Sequence, residues 1–191
     1  MEENKVNIPA HVIMIGGSAG SLEVLLNVLP RLTSLNNKAL IIVVHRKGSE
    51  DTLLEGLIAM KTHIPVYELD DKVPVLPGYI YIAPSDYHLL FEKDYTLALD
   101  ASEKINYSRP SIDVAFESAA EVYGNALTAI LVSGANADGT NGLIAIQKAG
   151  GIVAIQNPET AEMPFMPKHA LEHIEGVKVL DTNGISNLIM Q

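Results

Sequence analysis

Apolar residues along this chain gather into short unbroken runs separated by longer amphipathic stretches. The runs fall at Val12–Ile15, Ala39–Val44, Tyr79–Ala83, Leu127–Ser133, Ile152–Ile155 and Val177–Leu180. Between them, apolar positions recur at helical spacing over Leu22–Leu32, Thr52–Met60, Ile112–Tyr123, Leu143–Ala149 and Lys168–His173. The first set predicts strands and the second helices. Strands that are apolar at nearly every position are expected to be covered on both faces, which is the situation in a parallel sheet. The alternation therefore predicts an α/β fold: a three-layer, doubly wound, mostly parallel sheet with helices on both faces. Tyr87 to Asn106 breaks the rhythm, because Leu89-Leu90-Phe91 and Thr96-Leu97-Ala98-Leu99 flank Lys93-Asp94. That stretch reads as a β-hairpin attached to the main sheet. Residues 1–9 and the last few read as loose ends.

This architecture predicts where chemistry sits. Open parallel sheets bind ligands outside the carboxyl ends of their strands, near the point where strand order reverses. Three polar residues fall at such ends: Ser18 after the first strand, His45 after the second, and Asp138 in the turn that begins at Ser133-Gly134. Ser18 lies in Gly16-Gly17-Ser18-Ala19-Gly20, a Gly-x-Ser-x-Gly turn between a strand and a helix. Such a turn lifts a serine hydroxyl clear of the sheet, as nucleophilic serines require. A hydroxyl, an imidazole and a carboxylate supply the parts of a nucleophilic triad, and a triad is recognised by geometry and roles rather than by chain order. Ser18 would attack an acyl carbon, His45 would carry its proton, and Asp138 would orient the imidazole. The amide of Ala19 is a candidate first donor to the oxyanion, and an amide in the Gly134-Ala135-Asn136 turn is a candidate second.

Each residue also has a plainer reading. Ser18 can cap the following helix, His45 can be an ordinary loop residue, and Asp138 before Gly139 is a common turn residue. Placement of all three on one predicted edge favours the catalytic reading.

Composition narrows the class further. The chain has 191 residues, 48% of them hydrophobic and 19% charged, as in ordinary globular proteins. It has no cysteine, which excludes thiol nucleophiles, cysteine-based zinc sites and disulfides. A net charge of -10 opposes nucleic-acid binding, which depends on neutralising phosphates. The acidic start Met1-Glu2-Glu3-Asn4 does not resemble a secretory signal, and no run approaches the roughly 20 apolar residues of a membrane span. The expectation is a soluble cytoplasmic protein.

The motifs reached so far resemble those of the catalytic domain of the CheB-type chemotaxis protein-glutamate methylesterases. They are Ile15-Gly16-Gly17-Ser18-Ala19-Gly20, Val44-His45, Pro77-Gly78-Tyr79-Ile80-Tyr81-Ile82-Ala83-Pro84 and Arg109-Pro110-Ser111-Ile112-Asp113-Val114. Leu131-Val132-Ser133-Gly134 through Asp138-Gly139, and Met166-Pro167, complete the set in the family's order. The resemblance implies a serine hydrolase that cleaves glutamyl γ-methyl esters on methylated chemoreceptors or similar signalling proteins, releasing methanol. It also implies glutamine deamidation, no metal and no organic cofactor, with nucleophile, base and acid at Ser18, His45 and Asp138. The family's full-length chemotaxis members carry an N-terminal response-regulator (receiver) domain. Here the first strand begins about ten residues from Met1. The expectation is one domain over residues 1–191, with its core near residues 10–180 and no receiver domain. Regulation would then be absent or supplied in trans by a response regulator or a methyltransferase, or the chain would be a fragment.

Departures from the family's pattern occur around the site. The loop His45-Arg46-Lys47-Gly48-Ser49-Glu50-Asp51 lacks the Met-Pro and Phe-Thr pattern and is expected to help shape the substrate groove. Gly134-Ala135-Asn136 stands where Gly-Met-Gly is usual, and Ala19 and Ser21 replace Thr and Gly. Arg109 and Ser111 are candidate substrate contacts, although a helix-start role explains them as well. His169 and His173 have an i, i+4 spacing but no third ligand in sight, so a metal site is not expected. His11, His63 and His88 show no partner in sequence. Two other functional classes fit parts of the chain. A dinucleotide-binding oxidoreductase would use the glycine-rich turn and Arg46-Lys47, but Ser18 and Ser21 break the Gly-x-Gly-x-x-Gly pattern. A non-catalytic docking module on the same fold would have no use for all three polar groups.

Overall fold

A computed structural model describes residues 8–46 and 51–191. In chain order the elements begin with β1 (His11–Gly17), α1 (Ser21–Val28), β2 (Lys38–Val44), α2 (Asp51–Ala59) and β3 (Val66–Glu68). Next come β4 (Val73–Pro74), β5 (Ile80–Ile82), β6 (His88–Phe91), β7 (Thr96–Asp100) and α3 (Ile112–Tyr123). The chain ends with β8 (Leu127–Leu131), α4 (Thr140–Lys148), β9 (Ile152–Gln156), α5 (Phe165–His173), β10 (Lys178–Leu180) and α6 (Thr182–Met190).

Seven strands form one parallel sheet in the order β10-β9-β8-β1-β2-β5-β3. The chain first builds outward from β1 toward the β3 edge, then returns to place β8 on the other side of β1. Strand order thus reverses between β1 and β8, which puts the ligand-binding crevice at their carboxyl ends.

Both faces of the sheet are buried, and alternate residues of each strand divide between two cores. Val12, Met14, Ile41 and Val43 meet Ala115 and Phe116 of α3, Leu143 of α4 and Met166 of α5. Ile13, Ile15, Leu40 and Ile42 meet Leu25 and Val28 of α1, Ile58 of α2 and Ile185 and Ile189 of α6. This division explains the unbroken apolar runs. The expected doubly wound, three-layer sheet is the observed one.

Three differences have local causes. The helix expected over Leu22–Leu32 ends at Val28 and tightens into a 3₁₀ turn over Leu29–Arg31. Pro30 cannot donate within an α-helix and sits at the start of that tighter turn. The hairpin pairs within itself and with β4 in a separate antiparallel sheet, order β4-β7-β6. It packs on α3, where Phe91 meets the edge of Tyr123 at 5.8 Å between ring centroids. The last residues are not loose: Asp181 caps α6 by accepting from Gly184 N–H at 2.7 Å, and Ile185 and Ile189 are wholly buried. Of the other expected loose end, residues 1–7 lie outside those described. Among the described residues, no helix is long and apolar enough to cross a membrane.

Candidate active site

Sheet order places β1 between β2 and β8, so the ends of these three strands lie side by side. Gly17 is level with Val44, and Gly16 with Leu131. One step further, His45 N–H donates to the Gly17 carbonyl at 3.1 Å, and Ser18 N–H donates to the Ser133 carbonyl at 2.9 Å. These bonds lock the backbones of Ser18, His45 and Ser133 together at the switch point.

The turn after β1 needs its glycines. Gly20 has φ of 79° and lies against Ser133, where a Cβ would sit 2.5 Å from Oγ and 2.8 Å from Cβ of Glu162. Only glycine adopts that backbone and fits that gap without strain. Ser133 Oγ, wholly buried, donates to the Ala19 carbonyl at 2.8 Å and accepts from Met163 N–H at 2.9 Å. The turn that carries Ser18 is therefore tied to the segment leading into α5.

His45 Nε2 lies 2.8 Å from Asp138 Oδ2. The imidazole is 13% exposed and the carboxylate is fully enclosed. Four donors converge on Asp138. Oδ2 accepts from His45 Nε2 and from Ile112 N–H at 2.7 Å. Oδ1 accepts from Asp113 N–H at 2.9 Å and from Ser111 Oγ–H at 3.0 Å. Asp138 thus sits on the free amides at the start of α3, where the helix dipole also favours a negative charge. Burial works to raise its pKa, but the bonds from His45 and from the amides of Asp113 and Ile112 outweigh it and hold the carboxyl below its ordinary range. An ionised Asp138 only accepts, so Nε2 of His45 carries the proton and Nδ1 keeps a lone pair. An imidazole in this tautomer keeps one ring nitrogen able to take a proton.

Ser18 and His45 both line one cavity of about 450 Å³, together with Ala19, Leu22, Leu25, Val44, Leu54 and Leu57. Ser21 and the cationic Arg46 line it as well, so polar groups share the recess with a run of aliphatic side chains. Ala19 is exposed beside Ser18, and Ala135 is exposed in the turn after β8. Arg109 is engaged elsewhere: its Nη1 donates to the carbonyls of Ala101 at 2.7 Å and Ser102 at 2.6 Å. Ser111 caps α3, accepting from Val114 N–H at 3.4 Å, while its hydroxyl holds Asp138. For Ser111 the structure shows the helix-start role, with the hydroxyl engaged on Asp138. Of the loop after His45, residues 47–50 lie outside those described.

Four contributors were not singled out as site residues from sequence, although Asp113 lies within the Arg109–Val114 motif and His88 was noted without a partner. Ser108 Oγ lies 3.5 Å from His45 Nδ1. Asp113, next to Asp138, accepts from Gly142 N–H at 2.8 Å and ties α3 to α4. His88 is buried: its Nδ1 accepts from Ser111 N–H at 3.1 Å and its Nε2 donates to the Glu103 carbonyl at 3.0 Å. Gln156 Oε1 accepts from Ser133 N–H at 2.9 Å. All of these pairings join residues far apart in the chain. His11 likewise finds Thr128 Oγ1 at 2.8 Å, and His169 stacks on His173 with ring centroids 4.1 Å apart.

A parallel, doubly wound sheet with a serine, a histidine and a buried aspartate gathered at its switch point defines an α/β domain with an enzyme-like polar centre. Comparison with known proteins narrows the class. The CheB methylesterase family model matches residues 13–189, and the chain belongs to that family, as its motifs implied. A putative protein-glutamate methylesterase/protein-glutamine glutaminase of Leptospira interrogans is 37% identical over 179 residues, covering 94% of this chain and 93% of that protein. A protein-glutamate methylesterase/protein-glutamine glutaminase of Chromohalobacter salexigens is 33% identical, and there the match spans 93% of this chain but only 50% of the relative. The crystal structure of the Thermotoga maritima CheB methylesterase catalytic domain superposes with a TM-score of 0.89 at 30% identity, covering 94% of this chain and 97% of that one.

Proposed function

We propose that this chain is a protein-glutamate methylesterase of the serine-hydrolase type, with Ser18 as nucleophile, His45 as general base and acid, and Asp138 as the orienting carboxylate. The observation that carries the reading is the 2.8 Å bond from His45 Nε2 to the enclosed Asp138 carboxylate, made at the wall of the cavity that Ser18 lines. Belonging to the CheB methylesterase family supports it, as do relatives named for this activity.

The chemistry follows the geometry. Ser18 Oγ bonds to the ester carbonyl carbon of a glutamyl γ-methyl ester, and its proton passes to Nδ1 of His45. Asp138 stabilises the resulting imidazolium. The amides of Ala19 and Ala135 are assigned to the oxyanion. Collapse of the tetrahedral intermediate breaks the bond to the methoxy oxygen, which takes the proton from His45 and leaves as methanol. Water, deprotonated by the same imidazole, then adds to the acyl carbon, and the bond to Ser18 Oγ breaks as that oxygen takes the proton back from His45, releasing glutamate. Glutamine passes through the same kind of intermediate with ammonia leaving, so deamidation falls within the site's reach. The substrate is a methylated chemoreceptor or a similar signalling protein.

The test is methanol release from a methyl-esterified chemoreceptor cytoplasmic fragment. Wild type is expected to release it and Ser18→Ala to lose about 10³-fold or more in kcat. Fluorophosphonate labelling of Ser18 without methanol release would redirect the triad to another ester or amide. Absence of both labelling and methanol release would overturn the enzymatic reading.

A further inference from the structure

The turn Ile105–Ser108 stands beside the candidate base, since Ser108 Oγ is 3.5 Å from His45 Nδ1. Ser108 N–H donates to the Ile105 carbonyl at 2.9 Å, and Ile105 N–H donates to the Ser108 carbonyl at 3.2 Å. The two residues between them, Asn106 and Tyr107, have φ of 49° and 64°. This is a two-residue hairpin turn with left-handed backbone at both central positions. Asparagine tolerates that backbone, whereas a bulky side chain such as tyrosine is disfavoured in it. Tyr107 is also 97% exposed, the most of any large hydrophobic side chain among the described residues. Its ring returns no packing to the fold in exchange for the strain.

The turn is held firmly. Arg109 clamps the carbonyls of Ala101 and Ser102, buried His88 holds that of Glu103, and Asp86 N–H donates to the Arg109 carbonyl at 3.2 Å. A strained aromatic on a braced turn next to the base is placed to touch something outside the protein. A methyl ester is too small to reach both the Ser18 cavity and an outward-facing ring. A substrate contact at Tyr107 is therefore one made by the polypeptide that carries the ester and not by the ester itself. Aromatic rings on rigid supports lose little entropy on contact and are frequent anchors of protein interfaces. The net charge of -10 gives no overall long-range attraction to a glutamate-bearing segment, and with Arg46 the one cationic side chain among the described residues lining the cavity, contact area is expected to add to the binding.

We propose that Tyr107 is a specificity-determining residue whose ring packs on the substrate polypeptide flanking the glutamyl ester. The proposal rests on the methylesterase reading and adds the surface by which the protein substrate is chosen.

Methanol release from the methylated receptor fragment and hydrolysis of p-nitrophenyl acetate would be measured for wild type, Tyr107→Asn and Tyr107→Phe. Tyr107→Asn removes the ring but suits the left-handed turn. Expected for Tyr107→Asn is a rise of about tenfold in KM for the protein ester with kcat within about twofold, and p-nitrophenyl acetate turnover unchanged. Tyr107→Phe should restore the protein substrate. Unchanged kcat/KM toward the protein ester overturns the proposal. So does an equal loss on both substrates, which would show the turn only supporting His45. If wild type releases no methanol, the methylesterase reading fails separately, and binding of the same methylated fragment decides. A Kd weakened by Tyr107→Asn and restored by Tyr107→Phe sustains the contact; an unchanged Kd, or no binding at all, overturns it.

Discussion

Asp138 shows how one side chain can hold two parts of a site. Its carboxylate orients His45 and also satisfies the amides of Ile112 and Asp113 and the hydroxyl of Ser111. Asp138→Asn keeps the shape but replaces one acceptor with a donor. Either His45 Nε2 or the start of α3 then loses its partner, or the imidazole adopts the tautomer with its proton on the wrong nitrogen. Turnover of a small ester is expected to fall about 10⁴-fold, with a loss of about 1–3 kcal/mol in unfolding free energy. A fall in kcat of less than tenfold would remove Asp138 from the orienting role. Ser18 and His45 were legible in the sequence because each follows an apolar run and lies at a strand end. Asp138 was legible as a turn residue, but its hold on α3 was not, since the amides it serves lie 25 and 26 residues earlier. Arg109 shows the reverse case. Its charge and its place before a helix suggested a substrate contact, while the structure spends its Nη1 on two carbonyls.

At the scale of elements, strands were easier to read than helix ends. An apolar run needs no partner to be recognised, whereas the ends of α1 and α5 depend on Pro30 and on Pro164, which takes the cap position. The three-residue β3 escaped notice because so short a segment carries no period; its neighbour β5 recruits it at the edge of the sheet. The helix α6 was missed although Asp181, Ile185, Leu188 and Ile189 have the spacing of a capped amphipathic helix. It is nine residues long, too short to be stable without the groove beside α1. Its burial is what makes it form, and Arg31 at the end of the first helical segment also donates to Asn183 within it. Ile185→Ala is therefore expected to cost about 2–4 kcal/mol. That loss corresponds to roughly 4–16 °C in Tm for a protein of this size. Turnover at low temperature should stay within about twofold. Calorimetry showing no change in Tm would mean that α6 does not contribute to the core.

At the scale of the whole molecule, two buried carboxyls at the start of α3 give stability a dependence on pH with opposing slopes. Burial, aided by the charge of Asp138 and opposed by the Gly142 amide, pushes the Asp113 carboxyl up to about 6. The folded state thus holds that proton more tightly than the unfolded chain, whose value is 3.8. Its contribution is greatest below the unfolded value and is lost as pH rises through about 6. Asp138 acts in the other direction: its depressed value stabilises the fold above the unfolded value and is lost as pH falls below it. Asp113→Asn keeps an acceptor for Gly142 but removes the titration. The Tm of this variant relative to wild type should climb as pH goes from 4 to 7, and a constant difference would show that Asp113 does not titrate in that window. By itself, the sequence determined the layered α/β architecture and the three strand ends that carry polar side chains. Apolar periodicity records burial on each face, and removing apolar surface from water is the dominant force driving the chain to fold. Only the tertiary structure decided that β8 returns beside β1, that Asp138 lies on the amides of α3, and that the turn carrying the exposed Tyr107 brings Ser108 beside His45. Those outcomes depend on hydrogen bonds and turn geometry between residues distant in the chain, and no local pattern encodes them.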